Sequence, residues 1–149
     1  MLVVDDDPAV RELLSVVLGE SGFSVRTAAD GVAALRAVQE QAPALLVVDV
    51  LMPGLDGYGL VRAIRQQGLA EGARVAFLTC RGDEPDELRA WELGCDDYIA
   101  KPFDPDRLGR RLRELLGAAK ETLQERRHTE LQKADVLDRL ELAFNRGLR

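Results

Sequence analysis

The chain has 149 residues, of which 46% are apolar and 31% charged, a composition that fits one globular domain with additional residues and excludes a collagen-like or disordered chain. Its net charge of −6 is unevenly distributed: residues 1–110 carry 11 Lys and Arg against 19 Asp and Glu, whereas residues 111–149 carry 9 against 7. Because an acidic body repels phosphate backbones and attracts divalent cations, we expect no direct binding of nucleic acid.

Membrane proteins, secreted proteins and disulfide-rich proteins are also excluded. No apolar run approaches the roughly 18 residues that a membrane span needs, and the first residues lack the pattern of a secretory signal, so we expect a cytoplasmic protein without membrane contact. The two cysteines, Cys80 and Cys95, form no CxxC pair and are accompanied by one histidine, too few ligands for a zinc site. Both cysteines are predicted to be buried.

Short apolar strands alternate with amphipathic helices along the chain. The first helix is expected to begin at Pro8, with Asp7 as its N-cap, and to end at Gly22. The predicted strands are Leu2–Val4, Phe23–Ala28, Ala44–Val48, Arg74–Leu78 and Tyr98–Ala100. The later helices are predicted at Val32–Gln41, with Asp30 as N-cap, at Tyr58–Gln67, at Glu84–Leu93 and from Pro105 onward.

This alternation predicts an α/β fold with a doubly wound, five-stranded parallel sheet and five helices. Parallel strands need crossover connections, which place helices on the faces of the sheet. Strands such as Leu45–Val48 are apolar throughout, which indicates burial on both faces. The common strand order 2-1-3-4-5 is expected.

The last helix is predicted to be unusually long. From about Leu112 the sequence has no proline and few glycines, so the helix should continue unbroken from Pro105 to Asn145, about 60 Å, and project from the sheet. We therefore expect a main domain over residues 1–117 and a helical linker over residues 118–149, leading toward an output module that is missing or external.

Apolar residues in this helix recur near a spacing of about 3.5 residues, which favours an imperfect coiled coil between two chains over a solvated single helix. Arg127 and Glu130 interrupt this seam. Its members are Leu116, Ala119, Leu123, Ala134, Leu137, Leu140 and Phe144.

Polar residues follow the ends of the predicted strands. Asp5 and Asp6 end the first strand, Asp49 the third and Thr79 the fourth, and the fifth runs into Lys101. In an open parallel sheet, ligands bind at the carboxyl ends of the strands where the winding reverses, between strands one and three. Three carboxylates that converge there need protonation or a bound cation, and oxygen ligands favour Mg²⁺.

These motifs resemble the receiver domain of two-component response regulators over about residues 1–117. Thr79 and Lys101 lie 30 and 52 residues beyond Asp49, in agreement with the family spacing. The motifs that carry the resemblance are Asp5-Asp6, Val48–Gly54 with Asp56-Gly57 behind it, Leu78-Thr79 and Tyr98–Phe103.

The resemblance implies that Asp49 accepts a phosphoryl group from a histidine kinase or a phosphotransfer protein, and that the chain catalyses only its own phosphorylation and dephosphorylation. Mg²⁺, or Mn²⁺ in its place, would bind to Asp6, Asp49 and the backbone carbonyl of Leu51. Asp5 would act largely through metal-bound water, and Lys101 would place a positive charge on the phosphoryl group.

The resemblance also implies a conformational switch. Thr79 would move toward the phosphoryl group, and Tyr98 would then turn from an exposed to a buried rotamer. This movement would change the face formed by helix four, strand five and helix five, and would control an output or a partner. The Lys101–Pro102 peptide bond is expected to be cis, and a homodimer is expected through this face or the C-terminal helix.

Two other function classes are considered. A haloacid dehalogenase-type phosphatase also uses an aspartate nucleophile, and Asp5-x-Asp7 matches its first motif. However, Ala9 stands where Thr or Val is usual, and Lys101 follows rather than precedes the pair Asp96-Asp97. That function would require Asp5 as the nucleophile. The other alternative is a dimerisation or docking module that works without phosphorylation.

The end of the chain faintly resembles the opening of a diguanylate cyclase domain. Asp138, Leu140, Asn145 and Arg146 match, whereas Glu141 replaces a threonine. The chain would then be a truncated regulator of a diguanylate cyclase, with phosphorylation controlling dimer geometry along the helix. The alternative is the end of an amphipathic helix.

Overall fold

A computed structural model describes residues 1–80 and 87–147. Its five parallel strands form one sheet in the order β2-β1-β3-β4-β5, which confirms the predicted fold class and strand order. The strands are β1 (Leu2–Val4), β2 (Arg26–Ala28), β3 (Leu45–Asp49), β4 (Arg74–Cys80) and β5 (Asp97–Lys101). The helices are α1 (Pro8–Glu20), α2 (Gly31–Glu40), α3 (Gly57–Gln66), α4 (Glu87–Glu92), α5 (Pro105–Gly117) and α6 (Lys120–Gly147).

Two apolar layers cover the two faces of the sheet. Successive residues of β3 alternate between them: Val47 packs in the layer with α1 and α5, and Val48 in the layer with α2, α3 and α4. Both side chains are fully buried, which explains why this strand has no polar face. The sheet is therefore closed to solvent on both sides, and its carboxyl-terminal edge is left for polar residues.

Aspartate N-caps begin several helices, as predicted for Asp7 and Asp30. The Asp7 carboxylate accepts a hydrogen bond from the amide of Ala9, and the Asp30 carboxylate accepts one from the amide of Ala33. Asp56 and Asp104 cap α3 and α5 in the same way. These caps satisfy backbone amides that have no partner within the helix.

One predicted boundary differs from the structure, and another lies outside the described residues. The second strand begins at Arg26 rather than Phe23, because Phe23 instead packs against the layer of α1 and α5. The predicted start of the fourth helix at Glu84 lies outside the described residues, and α4 is described from Glu87. In the part of the chain that is described, no helix is both long and apolar enough to cross a membrane.

The last helix is not continuous, which corrects the prediction of one helix from Pro105 to Asn145. Helix α5 ends at Gly117, Ala118 is extended with φ −71° and ψ 141°, and α6 begins at Lys120. The Arg74 guanidinium donates a hydrogen bond to the Ala118 carbonyl at 3.1 Å. Gly117, a poor helix former, is a local sign of this break, and the contact with Arg74 fixes it.

The predicted coiled-coil seam is also divided. Leu123 is buried and Leu116 partly buried in the layer of α1 and α5, so neither faces solvent along a projecting helix. Leu137, Leu140 and Phe144 are exposed. The first half of α6 therefore packs against the domain, and only the second half has an exposed apolar side.

Candidate functional site

Three aspartates meet at the carboxyl-terminal edge of the sheet. Asp5 follows β1, Asp49 ends β3, and these two strands are neighbours. One carboxylate oxygen from each of Asp5, Asp6 and Asp49 lies within 4.8 Å of the others. Asp5 and Asp49 are buried, whereas Asp6 is exposed. The expected convergence of the acidic residues thus occurs on the side of β1 and β3 where the winding reverses.

Lys101 reaches this cluster from the end of β5. Its Nζ lies 2.7 Å from Asp5 Oδ2 and 3.6 Å from Asp49 Oδ2. The second oxygen of Asp5 accepts a hydrogen bond from the Asp7 amide at 2.9 Å. Asp5 is therefore held on both oxygens, while the Asp49 carboxylate lies farther from Lys101 and has the Leu51 backbone as a hydrogen-bonding neighbour. The Lys101–Pro102 peptide bond is cis.

The cluster has more negative than positive charge. Burial raises the pKa of Asp49 to about 6, and the charges of Asp5 and Asp6 also raise it. Lys101 and the backbone of Leu51 act in the opposite direction. Burial alone would lower the pKa of Lys101, but its hydrogen bond with Asp5 and the charge of Asp49 outweigh this effect, and its pKa is raised.

The donor set fits a hard divalent cation. All three acidic side chains offer oxygen ligands, one of them is exposed to incoming ions, and one lysine cannot neutralise three carboxylates. Mg²⁺ prefers oxygen ligands and retains some of its waters, which suits a cluster with an exposed carboxylate.

Thr79 and Tyr98 lie on adjacent strands beside this cluster. In the register of β3 and β4, Asp49 is opposite Leu78, so Thr79 is one residue beyond it. The Thr79 hydroxyl is buried and has no hydrogen bond of good geometry among the residues that the structure describes. Tyr98 is half-buried: burial raises its pKa, while Tyr58 and Thr79 lower it as hydrogen-bonding neighbours.

The loop between β3 and α3 packs back onto Asp49. The Gly57 amide donates a hydrogen bond to the Val50 carbonyl at 2.9 Å, and a Cβ at position 57 would clash with the Asp49 carbonyl. Gly54 has a φ of +73°, a conformation that favours glycine. Both glycines therefore shape the backbone around Asp49 rather than take part in its chemistry.

One residue that supports the site has no signal in the sequence, and the predicted burial of one cysteine is wrong. The Arg11 guanidinium donates a hydrogen bond to the backbone carbonyl of Asp5 at 2.8 Å, a contact that no short motif indicates. Cys95 is buried as predicted, but Cys80 is exposed, because it lies one residue beyond Thr79 at the end of β4. The prediction that both cysteines are buried is wrong for Cys80.

The structure bears differently on the phosphatase alternative and on the diguanylate cyclase resemblance. A phosphatase with Asp5 as nucleophile needs a free Asp5 oxygen, yet Asp5 is fully buried and hydrogen-bonded on both oxygens. The residues that resemble the opening of a diguanylate cyclase domain, Asp138, Leu140, Asn145 and Arg146, all lie within α6. That resemblance stays a prediction.

Comparison with known proteins gives a family match over most of the chain. Residues 1–113 match the family described as response regulator receiver domain. The chain is 40% identical over 117 residues to response regulator Rre1 of Synechocystis sp., covering 78% of this chain and 51% of that protein. It is 38% identical over 137 residues to the transcriptional regulatory protein GltR of Pseudomonas aeruginosa, covering 92% and 54%.

Solved structures agree with the sequence matches. The receiver domain of NtrX from Brucella abortus superposes with a TM-score of 0.72 at 33% identity, covering 79% of this chain and 98% of that one. The chain spans about half the length of the two regulators it matches, whereas it covers nearly all of this isolated domain.

Proposed function

Because the chain belongs to the response regulator receiver domain family of two-component systems, we propose that Asp49 accepts a phosphoryl group from a phosphohistidine of a sensor histidine kinase or a phosphotransfer protein. The observation that carries this proposal is the position of Asp49 between Asp6 and Lys101 at the edge of the sheet. Asp5 is tied by two hydrogen bonds, whereas Asp49 lies 3.6 Å from Lys101, too far for a strong one. Of the two buried carboxylates, Asp49 is therefore the one held less tightly, and it is the one that we assign as the phosphoacceptor.

In the proposed reaction an Asp49 carboxylate oxygen attacks phosphorus in line with the departing imidazole. The bond between phosphorus and nitrogen breaks, its electron pair stays on the imidazole, which takes up a proton, and an acyl phosphate forms on Asp49. Mg²⁺, or Mn²⁺, held by Asp6, Asp49 and the Leu51 carbonyl, with Asp5 contributing through water, supplies positive charge to the phosphoryl oxygens. Receiver domains generally bind Mg²⁺ at such an acidic pocket.

Lys101 and Thr79 stabilise the phosphoryl group in this proposal. The Lys101 ammonium already lies between Asp5 and Asp49, so a small shift from Asp5 would bring it to a phosphoryl oxygen. The Thr79 hydroxyl lies beside Tyr98 but forms no hydrogen bond of good geometry in the described part of the chain, so turning toward a phosphoryl oxygen would break no well-formed bond. The residues therefore need little reorganisation, which favours an electrostatically prearranged site.

The same groups supply the switch that we propose. Movement of Thr79 toward the phosphoryl group would change the surroundings of Tyr98, which is half-buried beside it. Tyr98 lies on β5, between α4 and α5, so its movement would alter the face formed by these three elements. That face, or the C-terminal helix, would contact an output module or a second copy of the chain.

We assign residues 1–117 to the receiver and residues 118–149 to a linker. The relatives are named as transcriptional or response regulators, which supports a regulatory role rather than a metabolic enzyme. Self-catalysed phosphorylation and dephosphorylation of Asp49 are the only reactions assigned to this chain. Phosphorylation would act on the output through the linker and through homodimer formation.

Labelling with acetyl phosphate tests the phosphoacceptor. The wild-type chain should gain one phosphoryl group, seen by intact-mass measurement, with Mg²⁺ present and not with EDTA. Asp49→Asn should abolish labelling. Asp30→Asn is a matched control, since asparagine caps a helix as well as aspartate does. Equal labelling of the Asp49→Asn chain and its parent would contradict the proposal and would leave a module that works without phosphorylation.

A further inference from the structure

Two buried carboxylates lie at the beginning of β5, at the opposite end of that strand from Lys101. Asp96 is 5% exposed and Asp97 is 1% exposed. One Asp96 oxygen accepts a hydrogen bond from the Val75 amide, and the other accepts one from Arg127 of α6, both at 2.9 Å. Asp97 is bound by Arg111 of α5 and by Arg126 of α6. Helix α6 therefore supplies one arginine to each carboxylate.

The first half of α6 contacts both apolar layers. Leu123 is 4% exposed and packs with the layer of α1 and α5, while Leu131 packs against the layer that includes α4. Arg127 also donates a hydrogen bond from Nε to the Cys95 carbonyl at 3.2 Å. We call residues 120–131 the docked segment, because apolar packing and two ion pairs hold it to the domain.

In the part of the chain that the structure describes, the second half of α6 has an exposed apolar side. Leu137, Leu140 and Phe144 are 60%, 61% and 68% exposed. Residues 132–147 form only about 24 Å of helix, and three large apolar side chains fall short of the ~800 Å² per partner that a stable interface buries. A lasting dimer of this helix therefore needs a longer contact than the exposed half provides.

The seam of the exposed half continues into the docked segment. Leu123, Leu137 and Phe144 are separated by multiples of seven residues, so they lie on one side of a coiled-coil helix. Leu123 packs on the domain in this structure and cannot also face a partner helix. Glu130 lies at the same spacing between Leu123 and Leu137, and Arg126 and Lys133 lie fourteen and seven residues before Leu140. These charged residues weaken the seam, which allows docking to compete with pairing.

We propose that α6 has two mutually exclusive positions: docked on α4 and the start of β5 through Arg126 and Arg127, or released and paired along residues 123–144 with α6 of a second copy of this chain. The docked position occludes Leu123 and keeps the chain monomeric. The released position exposes the full seam. This inference deepens the homodimer part of the proposed function and needs no phosphotransfer to Asp49.

The site of phosphorylation has a physical connection to the docked segment. The Tyr98 amide donates a hydrogen bond to Asp97 Oδ1 at 2.9 Å, and Arg126 donates one to the same oxygen at 2.9 Å. Because this bond comes from the Tyr98 backbone amide, a shift of the β5 backbone at Tyr98, and not a turn of its side chain alone, would move the oxygen and weaken its bond to Arg126. Phosphorylation of Asp49 would then favour the released position.

The test uses the full 149-residue chain without phosphorylation. Arg127→Ala removes the principal partner of Asp96. Hydrogen exchange of residues 120–131 should rise at least tenfold, and the dimer dissociation constant from sedimentation should fall about tenfold, which corresponds to ~1.4 kcal/mol. Arg139→Ala is the matched control, because Arg139 is exposed on α6 and pairs only with Asp135. It should change neither measurement.

Two further variants keep the test decisive. Arg126→Ala leaves Asp97 paired with Arg111, so the fold is retained, and hydrogen exchange of residues 120–131 should rise by less than in Arg127→Ala. Only exchange is compared for this variant, because Arg126 lies on the seam itself. Adding Leu137→Asp to Arg127→Ala should return the chain to monomer while exchange stays fast. Unchanged exchange in both arginine variants, or fast exchange without more dimer, would overturn the inference.

These outcomes are distinguishable from failure of the proposed function. Asp49→Asn combined with Arg127→Ala should dimerise as strongly as Arg127→Ala alone, because release by mutation does not require an acyl phosphate. If the wild-type chain cannot be labelled but Arg127→Ala dimerises, the phosphoacceptor proposal fails and the α6 inference stands. If labelling succeeds while Arg127→Ala stays docked, the reverse holds.

Discussion

Two groups of buried carboxylates lie at opposite ends of β5 and are neutralised very differently. At the carboxyl end, the buried Asp5 and Asp49 share Lys101, and the exposed Asp6 beside them adds a third negative charge. At the amino end, two aspartates meet three guanidinium groups. These are Asp96 and Asp97 with Arg111, Arg126 and Arg127.

This difference indicates which of the two groups can change its charge or its contacts. Buried charge is costly unless it is paired, so the group at the amino end is complete and holds helices in place. The group at the carboxyl end is incomplete: the pKa of Asp49 is raised to about 6, which reflects burial and neighbouring carboxylates. A group whose negative charges are not balanced is stabilised most by an incoming cation and destabilised most by further negative charge.

The largest effect is expected from Lys101→Met. This change removes the positive charge near Asp49, so the rate of labelling by acetyl phosphate should fall about 100-fold, as for loss of one electrostatic donor. Mg²⁺ should bind more tightly, because the cation then enters a site with no competing ammonium. Stopped-flow labelling and a calorimetric Mg²⁺ titration measure the two effects.

Lys120→Met serves as the control, because Lys120 is exposed at the start of α6 and is not among the residues of the acidic cluster around Asp49. It should leave labelling and Mg²⁺ affinity unchanged. If Lys101→Met weakened Mg²⁺ binding, Lys101 would be organising the carboxylates rather than competing with the metal, and the contrast between the two groups would need revision.

Asp97→Asn should lower the free energy of unfolding by about 2 kcal/mol. The loss is smaller than the 3–5 kcal/mol typical of a broken buried pair, because Arg111 and Arg126 are partly exposed and water can solvate them. Urea unfolding with matched m-values measures it. Asp135→Asn, which breaks an exposed pair on α6, should cost almost nothing. Equal losses for both variants would show that the amino-end group is not a structural one.

Asp49→Asn should instead stabilise the metal-free chain at pH 7 by about 1–2 kcal/mol, within the ~3 kcal/mol that the pKa shift allows. Between the ordinary pKa of 3.8 and about 6, the folded state holds more protons on Asp49 than the unfolded state does. The contribution of Asp49 to stability therefore falls as pH rises through this range. The advantage of asparagine should be full above pH 6 and should vanish below about pH 4.

Unfolding curves in EDTA at pH 7 and at pH 4 measure this difference, with Asp30→Asn as the control for a lost carboxylate at a helix cap. Adding Mg²⁺ should stabilise the wild type and should do little for Asp49→Asn. A destabilised Asp49→Asn chain at pH 7 would mean that Asp49 is adequately paired in the folded state.

Much of the fold and site was predictable, because both depend on local patterns repeated along the chain. Runs such as Leu45–Val48 predict buried parallel strands, and polar residues after those strands meet at one edge by topology alone. The sequence alone therefore predicts that the carboxylates and Lys101 lie at one edge. Their order along the sheet follows from the rules that limit crossover connections.

The break in the last helix was not predictable in the same way. Gly117 is a local but weak signal for a helix end, Ala118 and Ala119 are good helix formers, and the contacts that hold the break are remote: Arg74 binds the Ala118 carbonyl, and Arg127 binds Asp96. Such contacts join residues that are 44 and 31 positions apart. A helical pattern reports which side of a helix is apolar, but it does not report whether the domain or a second chain covers that side.

The smallest effect is expected from Thr79→Val, which separates stability from chemistry at the carboxyl end. Valine has nearly the shape of threonine and lacks the hydroxyl, which is buried without a well-placed partner within residues 1–80 and 87–147. The free energy of unfolding should therefore rise by about 1 kcal/mol. Labelling by acetyl phosphate should nevertheless slow severalfold, since the donor to the phosphoryl group is lost. Thr79→Ser should show the opposite pattern, with labelling retained and stability reduced by the missing methyl group. If valine both destabilised the chain and left labelling unchanged, the hydroxyl would be serving the fold, and the incomplete group at this end of β5 would consist of its charges alone.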